Sequence, residues 1–144
     1  MTEQNFKNHT RYVPMFHFVA STLILVPFVF SIIHFFKTVS AGSGRLDAAL
    51  VVAFISGVIL IFWYARAFAI KAQDRAIRAE ENFRYFVATG KPLDSRLRMA
   101  QIVALRFAGD EEFVVLAKRA ADENMPSREI KMAIQHWKAD NHRA

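Results

Sequence analysis

The stretch that decides the fold is Val13–Phe36, VPMFHFVASTLILVPFVFSIIHFF, 24 residues without a formal charge. As a helix rising 1.5 Å per residue it is about 36 Å long, enough to cross a hydrocarbon core of about 30 Å. A cleaved signal peptide would have a shorter apolar region of roughly 7–15 residues and a small-residue cleavage site, for which Ser40-Ala41-Gly42 is the candidate. Val13–Phe36 is longer and more aromatic than that, and a second apolar run follows at once. It therefore reads as a retained span. Ala48–Ala65 adds 18 uncharged residues, about 27 Å of helix. The helix continues beyond them, because Arg66 can snorkel while Phe68, Ala69 and Ile70 stay at the interface. The spans are placed at about residues 13–36 and 47–70. Between them, Gly42-Ser43-Gly44 interrupts helical continuity and predicts a tight hairpin.

Working outward from the spans, the flanking charges give an orientation. The connecting loop holds Lys37 and Arg45. The terminal side holds Lys7, Arg11, Arg66, Lys71, Arg75 and Arg78. Lysine and arginine accumulate on the cytoplasmic side of a membrane, so both termini are expected there. Pro14 suits a first helical turn and Pro27 a mid-span kink. Trp63 and Tyr64 suit the headgroup layer. Ser21, Thr22, Ser31, Ser56 and Gly57 are small or weakly polar and suit close helix packing.

The rest of the chain has a different composition. From Arg66 to Ala144 it holds 15 Lys and Arg against 11 Asp and Glu, with helical periodicity throughout. The second helix is expected to reach about Thr89, stopped by Gly90 and Pro92, with Ile70, Ile77, Phe83, Phe86 and Val87 forming an apolar face for a partner. A helix capped by Asp94 should run to Ala108, with Gly109 breaking it. Another should start at Asp110-Glu111-Glu112, where negative charge meets the positive end of the helix dipole. Asn124-Met125-Pro126-Ser127 reads as a turn, with Ser127 capping a last helix. There Ile130, Ala133, Ile134 and Trp137 fall at i, i+3, i+4 and i+7. The fold class is thus all-α: a two-helix transmembrane hairpin (residues 1–70, with the N-terminal segment) and a domain of about three short helices (residues 71–144). Fewer than about 55 residues in those three helices is marginal for independent stability, so they are expected to lean on the second helix, another subunit or the headgroup layer.

Chemistry-bearing candidates are few. The absence of cysteine excludes disulfides, zinc–thiolate sites and iron–sulfur clusters. At 53% hydrophobic the chain is too apolar for a disordered one. No phosphate-binding glycine loop, zinc-protease or serine-hydrolase signature occurs, and the apolar stretches lack Asp, Glu, Lys and Arg, which argues against a proton relay. His17 and His34 are the candidates for haem or quinone contact, since ionisable residues in a span are functional suspects. Helix geometry sets them about 25 Å and about 100° apart, so one chain cannot offer both to one ion. The plainer reading places both rings at the interfaces. Asn8, His9, Arg11, Tyr12 and His17 suggest a headgroup anchor or an anion pocket. His136, Asp140 and His142 make a weak metal set without a third ligand at fixed spacing. Arg75, Arg78 and Arg84 with Tyr85 and Phe86 would suit nucleic acid, but Glu80 and Glu81 interrupt the charge. Anionic lipid headgroups account for Arg11, Arg66, Lys71, Arg75 and Arg78 more simply.

Two segments at the chain ends carry a resemblance. Lys7-Asn8-His9-Thr10-Arg11-Tyr12-Val13-Pro14 with Phe16-His17, and Arg128-Glu129-Ile130-Lys131-Met132-Ala133-Ile134-Gln135-His136-Trp137-Lys138-Ala139-Asp140 with His142-Arg143, resemble a family of small bacterial membrane proteins classed as a domain of unknown function. Ala100–Ala108 extends the similarity, which covers the whole chain. The resemblance implies a two-span inner-membrane protein with a cytoplasmic helical domain, and carries no activity or catalytic residue. The expectation is a non-enzymatic membrane-anchored interaction module without a cofactor of its own, binding another protein or a second copy, with Ile130, Ile134 and Trp137 as the binding or bundle face. The alternative is an accessory subunit of a respiratory or transport complex with haem or quinone near His17 and His34.

Overall fold

A computed structural model of the chain describes residues 5–6 and 12–139. It is all-α. A π-helical turn, Met15–Ala20, leads into α1, Ser21–Ala41; α2 is Arg45–Thr89, α3 Met99–Leu105, α4 Asp110–Asp122 and α5 Ser127–Ala133. The helices divide into two compact units, the boundary falling within α2 between Phe68 and Ala69.

The first unit is the hairpin. Gly42 closes α1 at φ 80°, and Gly44 follows at φ 71°, a backbone region that side chains other than glycine rarely adopt. Met15–Ala41 and Arg45–Thr89 are both long and apolar enough to cross a membrane. The residues buried here are small, Ser31 and Ala48, which lets backbones approach closely. Large apolar side chains such as Phe30, Leu50, Phe54 and Ile61 face outward. The hydroxyls of Ser21, Ser31, Thr38, Ser40 and Ser56 each donate to a carbonyl of their own helical segment, so none of them depends on water. Pro27 lies inside α1.

The second unit has a conventional core. Phe107, Phe113, Ile102, Leu105 and Ile130 are fully buried, and each stabilises by about 1.5–3 kcal/mol relative to exposure. Ala104, Ala117 and Ala120 line the helix contacts, where small side chains allow close approach. Gln101 ties the helices together. Its Oε1 accepts the Arg98 N–H (2.7 Å), which helps start α3, and its Nε2 donates to Met125 O in the turn between α4 and α5 (2.9 Å). The acidic first turn of α4 forms as expected, and Asn124 (φ 49°) makes the turn into α5. Asparagine tolerates that left-handed conformation better than most residues.

Four expectations need correction. The Asp94 carboxylate accepts the Arg96 N–H (2.9 Å) in a local turn, and α3 starts five residues later with Arg98 as its cap. Asp94 satisfies its own neighbours instead of a helix start. Ser127 is the first residue of α5, and Pro126 is its cap. Of the apolar residues foreseen along the extension of α2, only Ile77 is buried. Ile77, Glu81, Arg84 and Tyr85 form the inward face, while Phe83, Phe86 and Val87 face outward. Finally, α5 stops at Ala133, so Trp137 is not on a helical stripe. Ile134 is extended, and Trp137 pairs with Ala108 in an antiparallel bridge. Lys138 N–H donates to Phe107 O (2.8 Å) and Gly109 N–H to His136 O (2.7 Å). The Glu112 carboxylate accepts the N–H groups of Gln135 (3.1 Å) and His136 (3.0 Å). A Cβ on Gly109 would lie 3.0 Å from His136 O, so any larger residue would have to push this backbone contact apart by a few tenths of an ångström.

Candidate functional site

The sequence candidates among the described residues are divided between the two units. His17 lies in the π-helical turn, where its Nδ1 is within hydrogen-bond distance of both Val13 N (3.1 Å) and Val13 O (3.0 Å), its tautomer deciding which bond forms, and its ring makes edge contacts with Tyr12 and Phe16. It is occupied in finishing its own helix start. His34 is exposed on α1 and has no hydrogen-bond or ring partner among the described residues. Arg66 is half-buried, with its guanidinium 5.3 Å from the Phe16 ring centre. Phe16 stacks in turn on Phe62 at 4.3 Å. Arg66 thus belongs to a Phe62–Phe16–Arg66 stack that joins the π-helical turn to α2, a cation–π contact worth about 0.5–1 kcal/mol when exposed and more when desolvated. Lys71 is exposed. Asn8, His9, Arg11, Asp140 and His142 lie outside the described residues. His136 lies outside α5, which ends at Ala133.

Ile130 and Ile134 are buried in the unit's own core, and Trp137 is half-buried with its ring 5.3 Å from Phe107. They form a bundle face, already covered. Arg84 is likewise committed. Its Nε donates to Asp110 Oδ1 (2.7 Å), its Nη2 to Ala108 O (2.7 Å) and its Nη1 to Glu81 Oε2 (3.1 Å), and the guanidinium lies over Phe113 (4.1 Å). It joins α2 to the link between α3 and α4, and so does not share a surface patch with Arg75 and Arg78. Burial pushes the Glu81 carboxyl up from its ordinary 4.5, and the attraction of Arg84 only partly opposes this. Hydrogen bonds from Arg84 hold the exposed Asp110 carboxyl below the usual carboxylate range. Beside this node, Phe83, Val87, Ala88 and Phe113 line a hollow of about 400 Å³.

Arg75 and Arg78 do come together. They line a cleft of about 520 Å³ with Ala79, Asn82, Leu93, Asp94 and Ile102. Neither arginine has an acidic partner among the described residues. Asp94, the one acid in the lining, is held by Arg96 through Nη2–Oδ2 at 2.7 Å, and Arg96 also binds Asp122 (2.8 Å). The hydrogen bonds from Arg96 hold the Asp94 carboxyl low. Asn82 Oδ1 accepts the Leu93 N–H (2.9 Å), which fixes the amide and leaves its Nδ2 as a donor. The sequence reading found both arginines but missed Asn82. The signal was present in the i, i+3, i+7 spacing of 75, 78 and 82, one face of a helix.

A model of a family of unknown function, DUF6526, matches residues 1–144, and the chain belongs to that family. No curated protein and no solved structure matches it.

Proposed function

We propose that this family member is a bacterial inner-membrane protein without enzymatic activity of its own, in which the hairpin anchors a cytoplasmic helical module that binds a protein partner or a second copy. The observation that carries the reading is the burial pattern of the hairpin. Only 6% of the most apolar window of each long helix is buried, leaving aromatic and branched side chains outward along both. In water so much contiguous apolar surface would drive aggregation; in lipid it is the solvent-facing side. The self-satisfied hydroxyls fit the same environment. The lysine and arginine excess on the terminal flanks supports a cytoplasmic module, and the family resemblance supports a bacterial inner membrane.

The interaction role rests on Phe83, Phe86 and Val87, which remain exposed on α2, rather than on Ile130 and Ile134, which the core uses. The chain has no cysteine, so single cysteines report cleanly. In intact cells permeable only at the outer membrane, Ser43→Cys should react with a membrane-impermeant maleimide and Glu111→Cys should not until the inner membrane is opened. Reaction of both from outside, or extraction of the protein by alkaline carbonate, would refute the anchoring. A photo-crosslinking residue at Val87 should give a discrete adduct in native membranes. Absence of any protein adduct at 83, 86 and 87 would refute the interaction role.

A further inference from the structure

We propose that the cleft between Arg75, Arg78 and Asn82 is a binding site for a phosphate monoester, either the headgroup of an anionic lipid or a soluble phosphate. The inference narrows the headgroup contact expected of Arg75 and Arg78 from the sequence, and it stands on the cleft's own chemistry. Two guanidiniums and one amide N–H₂ lie on one face of α2 and line the same hollow. Guanidinium groups match phosphate oxygens with paired, charge-assisted hydrogen bonds. Two cations plus a neutral donor suit a group of charge near −2 better than a single carboxylate, and a phosphate monoester carries about −1.5 to −2 at neutral pH.

The remaining lining supports this choice. The Asp94 carboxylate would repel a phosphate if it were free, but Arg96 bonds both of its oxygens, Nε to Oδ1 (3.1 Å) and Nη2 to Oδ2 (2.7 Å). Asn82 is oriented by the Leu93 N–H, which occupies its carbonyl and leaves the donor end. Leu93 and Ile102 add an apolar wall, and about 520 Å³ exceeds what a bare phosphate fills, so the organic part of the ligand has somewhere to lie.

The test is titration calorimetry on the full chain in a mild non-ionic detergent, with glycerol 3-phosphate, dihexanoyl phosphatidic acid and dihexanoyl phosphatidylcholine as probes. The two monoesters should bind and the phosphatidylcholine should not. Arg75→Gln with Arg78→Gln should weaken binding at least about tenfold, as expected for losing charge-assisted hydrogen bonds, and the double lysine variant should restore part of it. Asn82→Asp keeps the acceptor for Leu93 while replacing the donor with a negative charge, so it should abolish binding with the unit still folded. Arg119→Gln, at an exposed residue paired with Glu123, should change nothing. Tighter binding of dihexanoyl phosphatidic acid than of glycerol 3-phosphate would identify a lipid headgroup; equal binding would identify a soluble phosphate. No heat with either monoester, or unchanged binding in both the double glutamine and the Asn82→Asp variants, would overturn the site. Because the assay uses detergent, failure of the topology labelling and failure of the cleft are separate results.

Discussion

The hairpin and the helical unit sort their side chains in opposite ways. In Met15–Ala41 and the first part of α2, the buried residues are Ser31 and Ala48 and the exposed ones are phenylalanines, leucines and isoleucines. In α3–α5 the phenylalanines and isoleucines are inside, and the exposed residues are mostly charged or polar. Both regions are helical, so helix formation does not separate them. The contrast is the one expected if the proposed function is right and the two surfaces face different solvents. Water rewards burial of large apolar groups, whereas in lipid it is close backbone packing and small residues that hold helices together.

The largest effect expected from breaking this contrast is in the conventional core. Phe113→Ala should cost about 3–5 kcal/mol, because it removes a fully buried ring that also meets Arg84 and Tyr85. Amide hydrogen exchange should accelerate across α3, α4 and α5 and stay unchanged in α1. Equal acceleration in α1 would show that the two units unfold together.

A smaller effect sharpens the contrast from the other side. Phe54 and Val115 are almost equally exposed, at 74% and 71%. Phe54→Arg should disfavour membrane insertion by about 2.5–3.5 kcal/mol, read as protein shifted out of the carbonate-resistant fraction. Val115→Arg should change stability by less than about 0.5 kcal/mol and leave that fraction alone. Identical behaviour of the two arginine variants would remove the distinction between the surfaces.

The smallest effect concerns charge inside the helical unit. The raised carboxyl of Glu81 means that the unfolded chain gives up this proton at lower pH than the folded one. Its contribution to stability is therefore greatest below about 4.5 and falls as pH rises through the raised value. Asp110 has the opposite sign, since its lowered carboxyl supports stability above its ordinary 3.8 and loses that support as pH falls through the lowered value. Glu81→Gln should thus remove the decline above 4.5 and leave the acid limb in place. At pH 7 it should lie within about 1 kcal/mol of the native chain or above it, because replacing a buried ion-pair member with a neutral isostere also removes a desolvation cost. A variant whose stability falls with rising pH as the native chain does would assign the titration to another group.

Much of the helical layout was legible because it depends on neighbours in sequence. The ends of α1 and α2 follow from Gly42 and Gly90, both at positive φ. The start of α4 follows from Gly109 and three acids. Part of the cleft was legible too, since Arg75 and Arg78 stand among the cations that follow the second apolar run. That Arg84 turns inward while they stay free was not, because its partners Asp110 and Ala108 are 26 and 24 residues away.

By itself the sequence determined two long apolar helices, the tight glycine turn between them and the change to a charged helical segment. Each is set by local propensity and by the length of an uncharged run. Only the tertiary structure decided the fate of Ile134–Lys138, whose helical periodicity is overruled. Leaving the helix at Ala133 gives up local hydrogen bonds, but Glu112 captures two N–H groups and Phe107 and Gly109 supply backbone partners. Such compensation comes from residues more than 20 positions away, so the periodicity of the segment itself could not reveal it.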